Sequence, residues 1–279
     1  MEKEKIKFSV LMPVYNKENP IFLKQALESI IQQTLMPNEI VIVKDGALTK
    51  ELDNIINNYS SNYNDLFNII TLVQNIGPGR ARNAGLQACK YNYIALMDSD
   101  DIADLTRFEK QIGYLEKHPE IDCIGSNITE FEENPENIIS KKVVPLKQEE
   151  IFKFGKWRSP MNNVTIIYKK DKVLEVGGYN SFNFGEDYLL FAKMLVAGMK
   201  FHNLEECLVN ARGGASMLSK RIGFCRIIQE FKLFWTFYKM KYINIFEFSR
   251  NVSLKFLLRI IPTWFRSWIY QTFLRTKVC

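Results

Sequence analysis

Three carboxylates crowd into four residues at Asp98-Ser99-Asp100-Asp101, directly behind the apolar run Tyr93-Ile94-Ala95-Leu96-Met97. Like charges at that spacing repel, so a strand end that gathers them suits a hard divalent cation, which would in turn bridge a diphosphate. An acidic helix N-cap is the plainer use of the same string, and it accounts for one carboxylate or two. A second group lies in Asn75-Ile76-Gly77-Pro78-Gly79-Arg80-Ala81-Arg82. Its glycines admit close backbone approach, an opening helix offers N–H groups to an anion, and Arg80 and Arg82 can fork onto phosphate. A solvated helix start is the alternative. The segment is not GxGxxG and follows the third strand rather than the first, which argues against a dinucleotide-binding dehydrogenase. Asp45, in Asp45-Gly46, either accepts hydrogen bonds from a nucleobase or ribose or simply makes an Asp-Gly turn. Glu186-Asp187 opens a helix after the aromatic and glycine-containing stretch 179–185, where a carboxylate suits a general base and equally a helix cap. The two histidines, His118 and His202, are too few to favour a Ser/His/Asp enzyme.

The elements that must position these groups alternate short β-rich runs with helical stretches. Strands are expected at Phe8–Val14, Glu39–Lys44, Ile69–Val73 and Tyr93–Met97, with helices at Ile21–Gln33, Leu52–Tyr59 and Gly79–Lys90 between them. That alternation predicts an α/β fold with a doubly wound, mostly parallel sheet flanked by helices. In such sheets ligands sit at the carboxyl ends of the strands, and the residues found there are Tyr15-Asn16, Asp45-Gly46, the Asn75 loop and the Asp98 string. Farther on, a helix is expected at Leu105–Glu116, a strand at Thr165–Tyr168, helices at Lys170–Val176 and Glu186–Ala197, and a strand at Phe201–Asn210.

With 279 residues, 47% of them hydrophobic and 24% charged, the chain can bury a sizeable core. Its five cysteines are scattered without a CxxC pair, so neither a disulfide framework nor a zinc site is expected. The charged start Met1-Glu2-Lys3-Glu4-Lys5 has no apolar signal region, which leads to the expectation of a cytoplasmic protein. From Lys220 onward there are twelve Lys or Arg and two Glu, a net +10, so the preceding part carries −4 of the +6 total. This division sets an α/β domain over 1–218 apart from a basic, aromatic-rich helical C-terminal region over 219–279. In that region Leu257, Ile261, Trp264 and Trp268 fall on one helical face, with Lys255, Arg259 and Arg266 roughly opposite and Pro262 as a kink. An amphipathic basic helix of this kind suits an anionic membrane surface. Packing on the catalytic domain, or on a second subunit in a homo-oligomer, is the alternative. The cations are interleaved with bulky aliphatics and match no nucleic-acid-binding module, so no nucleic-acid partner is expected.

Pro13-Val14-Tyr15-Asn16, the Ile40-to-Gly46 strand, the Asn75-to-Leu86 segment, Asp98 to Asp101 and Gly185-Glu186-Asp187 occur in one order. That order resembles the family 2 glycosyltransferases of GT-A fold, more narrowly the bacterial enzymes of capsular, exopolysaccharide and lipopolysaccharide assembly. The resemblance covers residues 6 to about 215. It implies an inverting transfer of one sugar from a UDP-sugar donor to a glycan or lipid-linked acceptor at the inner face of the membrane, with Mn²⁺ or Mg²⁺ as cofactor. By the same resemblance Pro13, Val14, Tyr15 and Asn16 line the nucleotide pocket and Asp45 holds the uracil. Arg80 and Arg82 lie near the diphosphate and sugar. Asp98, Ser99 and Asp100 form the DxD motif, with Asp98, Asp100 and Asp101 as metal ligands. Asp187 is the base, Arg212 reaches back to the donor phosphates, and Gly178, Tyr179 and Glu186 shape the acceptor side. The chain departs from the family at Lys44, where a second Asp is common. Two other classes fit parts of the pattern: a GT-A domain that binds a sugar nucleotide without turnover, and a nucleotidyltransferase, which would release pyrophosphate and need no base at Asp187.

Overall fold

A computed structural model describes residues 5–179, 185–213, 224–260 and 276–277. In chain order the elements are β1 (Phe8–Val14), α1 (Pro20–Ile31), β2 (Glu39–Lys44), α2 (Lys50–Asn62), β3 (Phe67–Thr71), α3 (Pro78–Ala88), β4 (Tyr93–Leu96), β5 (Ile102–Ala103) and α4 (Arg107–Lys117). They continue through β6 (Cys123–Phe131), β7 (Ile138–Lys142), α5 (Gln148–Phe154), β8 (Ile167–Lys169), α6 (Lys170–Glu175), α7 (Glu186–Val196) and β9 (Phe201–Arg212). After the catalytic segment come helices α8 (Phe224–Lys239) and α9 (Ile245–Ile260) and the short β10 (Thr276–Lys277).

The strands β3-β2-β1-β4 form a parallel half-sheet, as the alternating pattern predicts. Past β4 the sheet changes character: β8 runs antiparallel between β4 and β6, β9 lies parallel beside β6, and β7 and β10 extend the edge antiparallel. The central strands are apolar on both faces because both are covered. Along β1 the side chains alternate with the two-residue period of a strand. Phe8, Val10, Met12 and Val14 enter a core with Leu23 and Leu27 of α1, Ile56 of α2 and Phe108 and Ile112 of α4. Leu11 faces the opposite core, with Leu86 of α3 and Leu189 of α7.

Parallel register aligns the functional edge. Val14 lies opposite Lys44, Lys44 opposite Thr71, and Leu11 opposite Leu96, so the residues that follow each strand collect on one side. Close packing of α3 depends on Gly85, where a Cβ would stand 2.2 Å from Leu11 Cδ1 and 2.6 Å from Val43 Cγ2. Any side chain there would lift α3, whose first turn carries Arg82, away from β1 and β2. The hairpin-like pairing of β5 with β9 sets Ile102 against Asn210, which returns Arg212 to the Asp98–Asp101 segment.

The C-terminal region packs on this core. Leu233, Phe234 and Phe237 of α8 are buried in the same cluster as Leu189 and Phe191 of α7, and the Phe237 ring meets Tyr188 edge-on at 4.9 Å. The boundary expected at residue 218 lies outside the described residues, as do Ile261, Pro262, Trp264, Arg266 and Trp268 and the stretch 180–184. Among the described residues Cys89, Cys123 and Cys207 are free thiols, in keeping with the absence of a disulfide framework from the sequence pattern. Phe237→Ala is expected to lower stability by about 3–5 kcal/mol through the cavity it leaves. Chemical denaturation of the purified protein measures this, and an unchanged midpoint would mean that α8 contributes nothing to the catalytic core.

Candidate active site

The carboxyl edge of the parallel half-sheet opens into a cleft of about 670 Å³ lined by Pro13, Val14, Tyr15, Asp45, Asn75, Gly77, Arg82, Asp98, Ser99, Asp100 and Arg212. Asn16 is exposed and absent from this lining, whereas Lys17, Glu18 and Phe22 join it. A second cleft of about 430 Å³ contains Glu186 and Asp187 and shares Arg82, Asp98, Asp100, Arg212 and Gly213 with the first. The two hollows therefore meet across one polar wall.

Asp45 lines the first cleft and also organises a loop of its own protein. Its Oδ1 accepts the Ile76 N–H at 2.7 Å and its Oδ2 the Gly77 N–H at 3.1 Å, pinning the loop that leads into α3. A carboxylate has about four lone-pair sites, so two such bonds leave capacity toward the cleft. Lys44, which stands where a second Asp is common, is engaged by Asp53 at 2.7 Å on the α2 side.

Arg82 forms the wall between the clefts. One terminal nitrogen lies 3.0 Å from Asp98 Oδ1 and the other 3.5 Å from Glu186 Oε1, while the Tyr179 ring sits 5.8 Å from the guanidinium. Burial works against its charge, but Asp98, Asp187 and Glu186 more than offset that, so its pKa is raised. Arg80, two residues earlier, is exposed and lines neither cleft. An α-helix turns by about 100° per residue, which separates the two arginines onto different faces of α3.

The acidic string divides its work. Asp101 is buried, and its Oδ1 accepts the Arg212 N–H at 2.7 Å, tying β9 to the loop after β4. Burial, followed by Asp100 and Asp98, pushes its carboxyl well above the ordinary range. Asp100 is pushed up to about 7 by burial and then by Asp98 and Glu18. Ser99 donates to Glu18 Oε2 at 2.6 Å. Glu18 was not anticipated from the sequence, where it reads as an ordinary acid ahead of the Asn19 helix cap.

Among the described residues no three His, Cys, Asp or Glu side chains converge as a complete metal cage. The donor set nevertheless fits a hard cation. Asp98 and Asp100 face one cleft with Glu18 beside them, and the negative charge of Asp98 and Glu18 adds to burial in raising the pKa of Asp100. Two carboxylates completed by phosphate oxygens and water are a sufficient site for Mg²⁺-type ions. Asp101, spent on the Arg212 backbone, is the weakest of the three candidates.

Arg212 is a buried strut. Its Nε donates to the Asp100 carbonyl at 3.0 Å and its Nη2 to Gln25 Oε1 at 2.7 Å, and the guanidinium lies between the Phe22 and Phe131 rings, 3.6 and 4.6 Å from their centroids. Burial holds its pKa below the usual arginine value, against the pull of Asp100 and Asp101. It lines both clefts, yet its described contacts hold the Asp100 backbone.

On the second cleft, Glu186 and Asp187 sit at the start of α7 behind Gly185. Burial and then Asp187 raise the pKa of Glu186. Asp187 Oδ1 accepts the N–H of Tyr188 at 2.9 Å, so the helix-cap reading is realised in part while the carboxylate still lines the cleft. Asn83 clamps the preceding turn from both sides, donating to the Tyr179 carbonyl at 2.7 Å and accepting its N–H at 2.8 Å. Gly178 has φ +66°, and a Cβ there would stand 2.7 Å from Asn83 Oδ1. Tyr179, expected on the acceptor side, is buried with its ring against Arg82 and lines neither cleft. His118 and His202 stack on the two sides of Tyr114 and line neither cleft.

Comparison with known proteins agrees with this arrangement. Residues 9–177 match the family Glycosyl transferase family 2. The chain is 36% identical to an Escherichia coli UDP-Gal:alpha-D-GlcNAc-diphosphoundecaprenol beta-1,3-galactosyltransferase over 99% of each chain. It is 35% identical to an amylovoran biosynthesis glycosyltransferase of Erwinia amylovora, over 95% of this chain and 98% of that one. Among solved structures, a mannosyltransferase from Pyrobaculum calidifontis in complex with GDP-Man and Mn²⁺ superposes with a TM-score of 0.64 at 13% identity, covering 91% of this chain and 70% of that one. The chain therefore belongs to glycosyl transferase family 2 and has the GT-A fold that its sheet edge and paired carboxylate motifs require.

Proposed function

We propose that this glycosyltransferase moves a single sugar from a UDP-sugar onto a lipid-linked glycan acceptor in bacterial surface polysaccharide assembly, with inversion at the anomeric carbon. The observation that carries the reading is the shared wall: Arg82 binds Asp98, which lines both clefts, and Glu186, which lines the second, so a donor and an acceptor held in the two hollows would meet beside it. The donor and acceptor classes are those named for the 36%-identical relative. In this reading the nucleotide lies along Pro13–Tyr15 and Asp45, with the diphosphate toward Asp98 and Asp100. Those two carboxylates would hold Mn²⁺ or Mg²⁺, which supplies positive charge for the departing UDP when bound. Asp187 takes the proton of the acceptor hydroxyl while that oxygen attacks C1 from the face opposite UDP, and one displacement inverts the centre.

The C-terminal region would hold the enzyme at the membrane surface. No helix among the described residues is long and apolar enough to cross a membrane. Instead α9 leaves Phe246 82% exposed and Leu254, Phe256 and Leu257 about half exposed, with Arg250 on the same side. Apolar side chains beside cations are the pattern of an interfacial helix.

Three outcomes are expected. Asp187→Asn should leave UDP-sugar affinity and thermal stability intact while transfer falls by roughly two to four orders of magnitude, the usual worth of a general base. Asn caps a helix about as well as Asp, so a stable variant with normal transfer would remove Asp187 from the chemistry. Asp100→Asn should abolish the dependence of donor binding on Mn²⁺ or Mg²⁺, measured by titrating UDP-sugar with and without the ion. Wild-type affinity that is indifferent to the ion would sink the metal assignment. The double change Phe246→Glu, Leu257→Glu should reduce co-sedimentation with anionic vesicles without changing UDP affinity, and unchanged sedimentation would argue against membrane docking through α9.

A further inference from the structure

Arg82 and Arg212 meet the acidic string in direct contacts, and a third arginine lies behind that string without one. Arg107, the first residue of α4, is completely withdrawn from solvent and lines neither cleft. Its Nη2 donates to the Leu96 carbonyl at 2.8 Å, its Nη1 lies 3.3 Å from Met97 Sδ, and its Nε donates to Gln111 Oε1 at 3.1 Å. The guanidinium stands 5.1 Å from the Phe108 ring centroid. Gln111 is itself anchored, since its Nε2 donates to the Thr165 carbonyl at 2.7 Å, in the turn from Asn162 to Thr165 that precedes β8. The guanidinium is therefore clamped at the end of β4, against the two residues that lead into Asp98. Every one of these partners is neutral, and among the described residues no carboxylate comes within ion-pair or hydrogen-bond distance of Arg107.

None of these bonds calls for a charge. A glutamine amide would donate to the Leu96 carbonyl, and an aliphatic side chain would fill the space, each without the cost of taking a guanidinium out of water. Burial draws the pKa of Arg107 down to about 9, against the opposing pull of Asp101 and then Asp98, and at neutral pH the group remains charged. Where water is excluded, attraction between opposite charges extends beyond contact distance, so this charge acts on the acids through space. We propose that Arg107 is a positioning residue of the donor site, a fixed countercharge that holds the carboxylates of Asp98, Asp100 and Asp101 together at the end of β4 while no divalent cation is bound. The inference rests on the reading above that puts such a cation at Asp98 and Asp100, and it explains how the string is tolerated without one. The same positive charge opposes an arriving cation, so its removal leaves the free protein less stable and the ion more tightly held.

Mn²⁺ is the probe, titrated into the full chain alone and in the presence of UDP. Its affinity is read from the electron paramagnetic resonance of the unbound ion, and thermal unfolding is followed in chelator and in saturating Mn²⁺. Arg107→Gln keeps a donor and removes the charge, and it should bind Mn²⁺ about three- to tenfold more tightly than the wild type and gain more in Tm from the ion. Arg107→Lys keeps the charge and loses the fork, so its Mn²⁺ affinity should stay within about twofold of the wild type even where its Tm is lower. Asp101→Asn, which can still accept the Arg212 N–H, supplies an arm without metal: combined with Arg107→Gln in chelator, it should recover part of the Tm lost by the single variant. A purely structural Arg107 gives the opposite set. Arg107→Gln would then lose the same Tm in chelator and in Mn²⁺, or unfold in both, its Mn²⁺ affinity would not rise, and its loss would simply add to that of Asp101→Asn, which overturns the countercharge. If the wild type binds no Mn²⁺ with or without UDP, the metal reading fails, and the combination with Asp101→Asn alone decides the role of Arg107.

Discussion

The guanidinium of Arg82 is the point through which the functional edge is held together. It is buried at the start of α3, within 3.0 Å of a carboxylate that follows β4 and 3.5 Å of one that opens α7. A buried cation must be compensated, and for Arg82 the compensation comes from carboxylates of two distant segments, so a charge requirement helps to fix their relative position. The close seat of α3 on β1 and β2, made possible by Gly85, brings that cation to the sheet edge. The Asn83 clamp on Tyr179 and the ring of Tyr179 support it from behind.

A second strut completes the frame from the other side. Arg212 and Asp101 tie the end of β9 to the loop after β4 through a backbone N–H, a backbone carbonyl and two aromatic rings. Asp101 gives one oxygen to this tie and Asp98 one to Arg82, and Asp98 and Asp100 both line the first cleft. Burial first, and then the charges of Asp98 and Glu18, raise the pKa of Asp100. The roles overlap within this four-residue string: Asp98 holds Arg82 and also lines the first cleft, Asp100 lines that cleft, and Asp101 holds the Arg212 backbone.

Of the two roles that the composition of the C-terminal helices suggested as alternatives, packing on the core is the one the structure displays, and it leaves a face of α9 uncovered. The buried face of α8 is part of the catalytic core, through Leu233, Phe234 and Phe237. The outer face of α9 remains apolar and basic. A helix has enough circumference to pack one stripe and present another, so core packing and an interfacial surface are compatible in a single region.

Sequence alone determined the elements of the parallel half-sheet, β1 to β4 and the helices between them, and the chemical character of its edge. Apolar runs such as Phe8–Val14 and Glu39–Lys44 coincide with β1 and β2 because continuous hydrophobicity bounded by Tyr15-Asn16 and Asp45-Gly46 admits little else. The rule that ligands gather behind parallel strands then picked out Asp45, Asp98 and Asp100. What the sequence left undecided is which of several equivalent residues meets a ligand. Arg80 and Arg82 are both arginines on one helical turn, yet one is exposed and the other buried, because the face of α3 that meets the sheet is chosen by packing at Gly85. Glu18, Asn162 and Asn163 carry no local signature, and they joined the clefts only when strands far apart in the chain were brought into register. The antiparallel insertion of β8 between β4 and β6, which places the Asn162 turn opposite Asp187, is likewise a product of long-range pairing. Local chemistry fixes what a segment can do, whereas burial and hydrogen-bond accounting, which exist only once the chain has closed on itself, decide which residues remain free to do it.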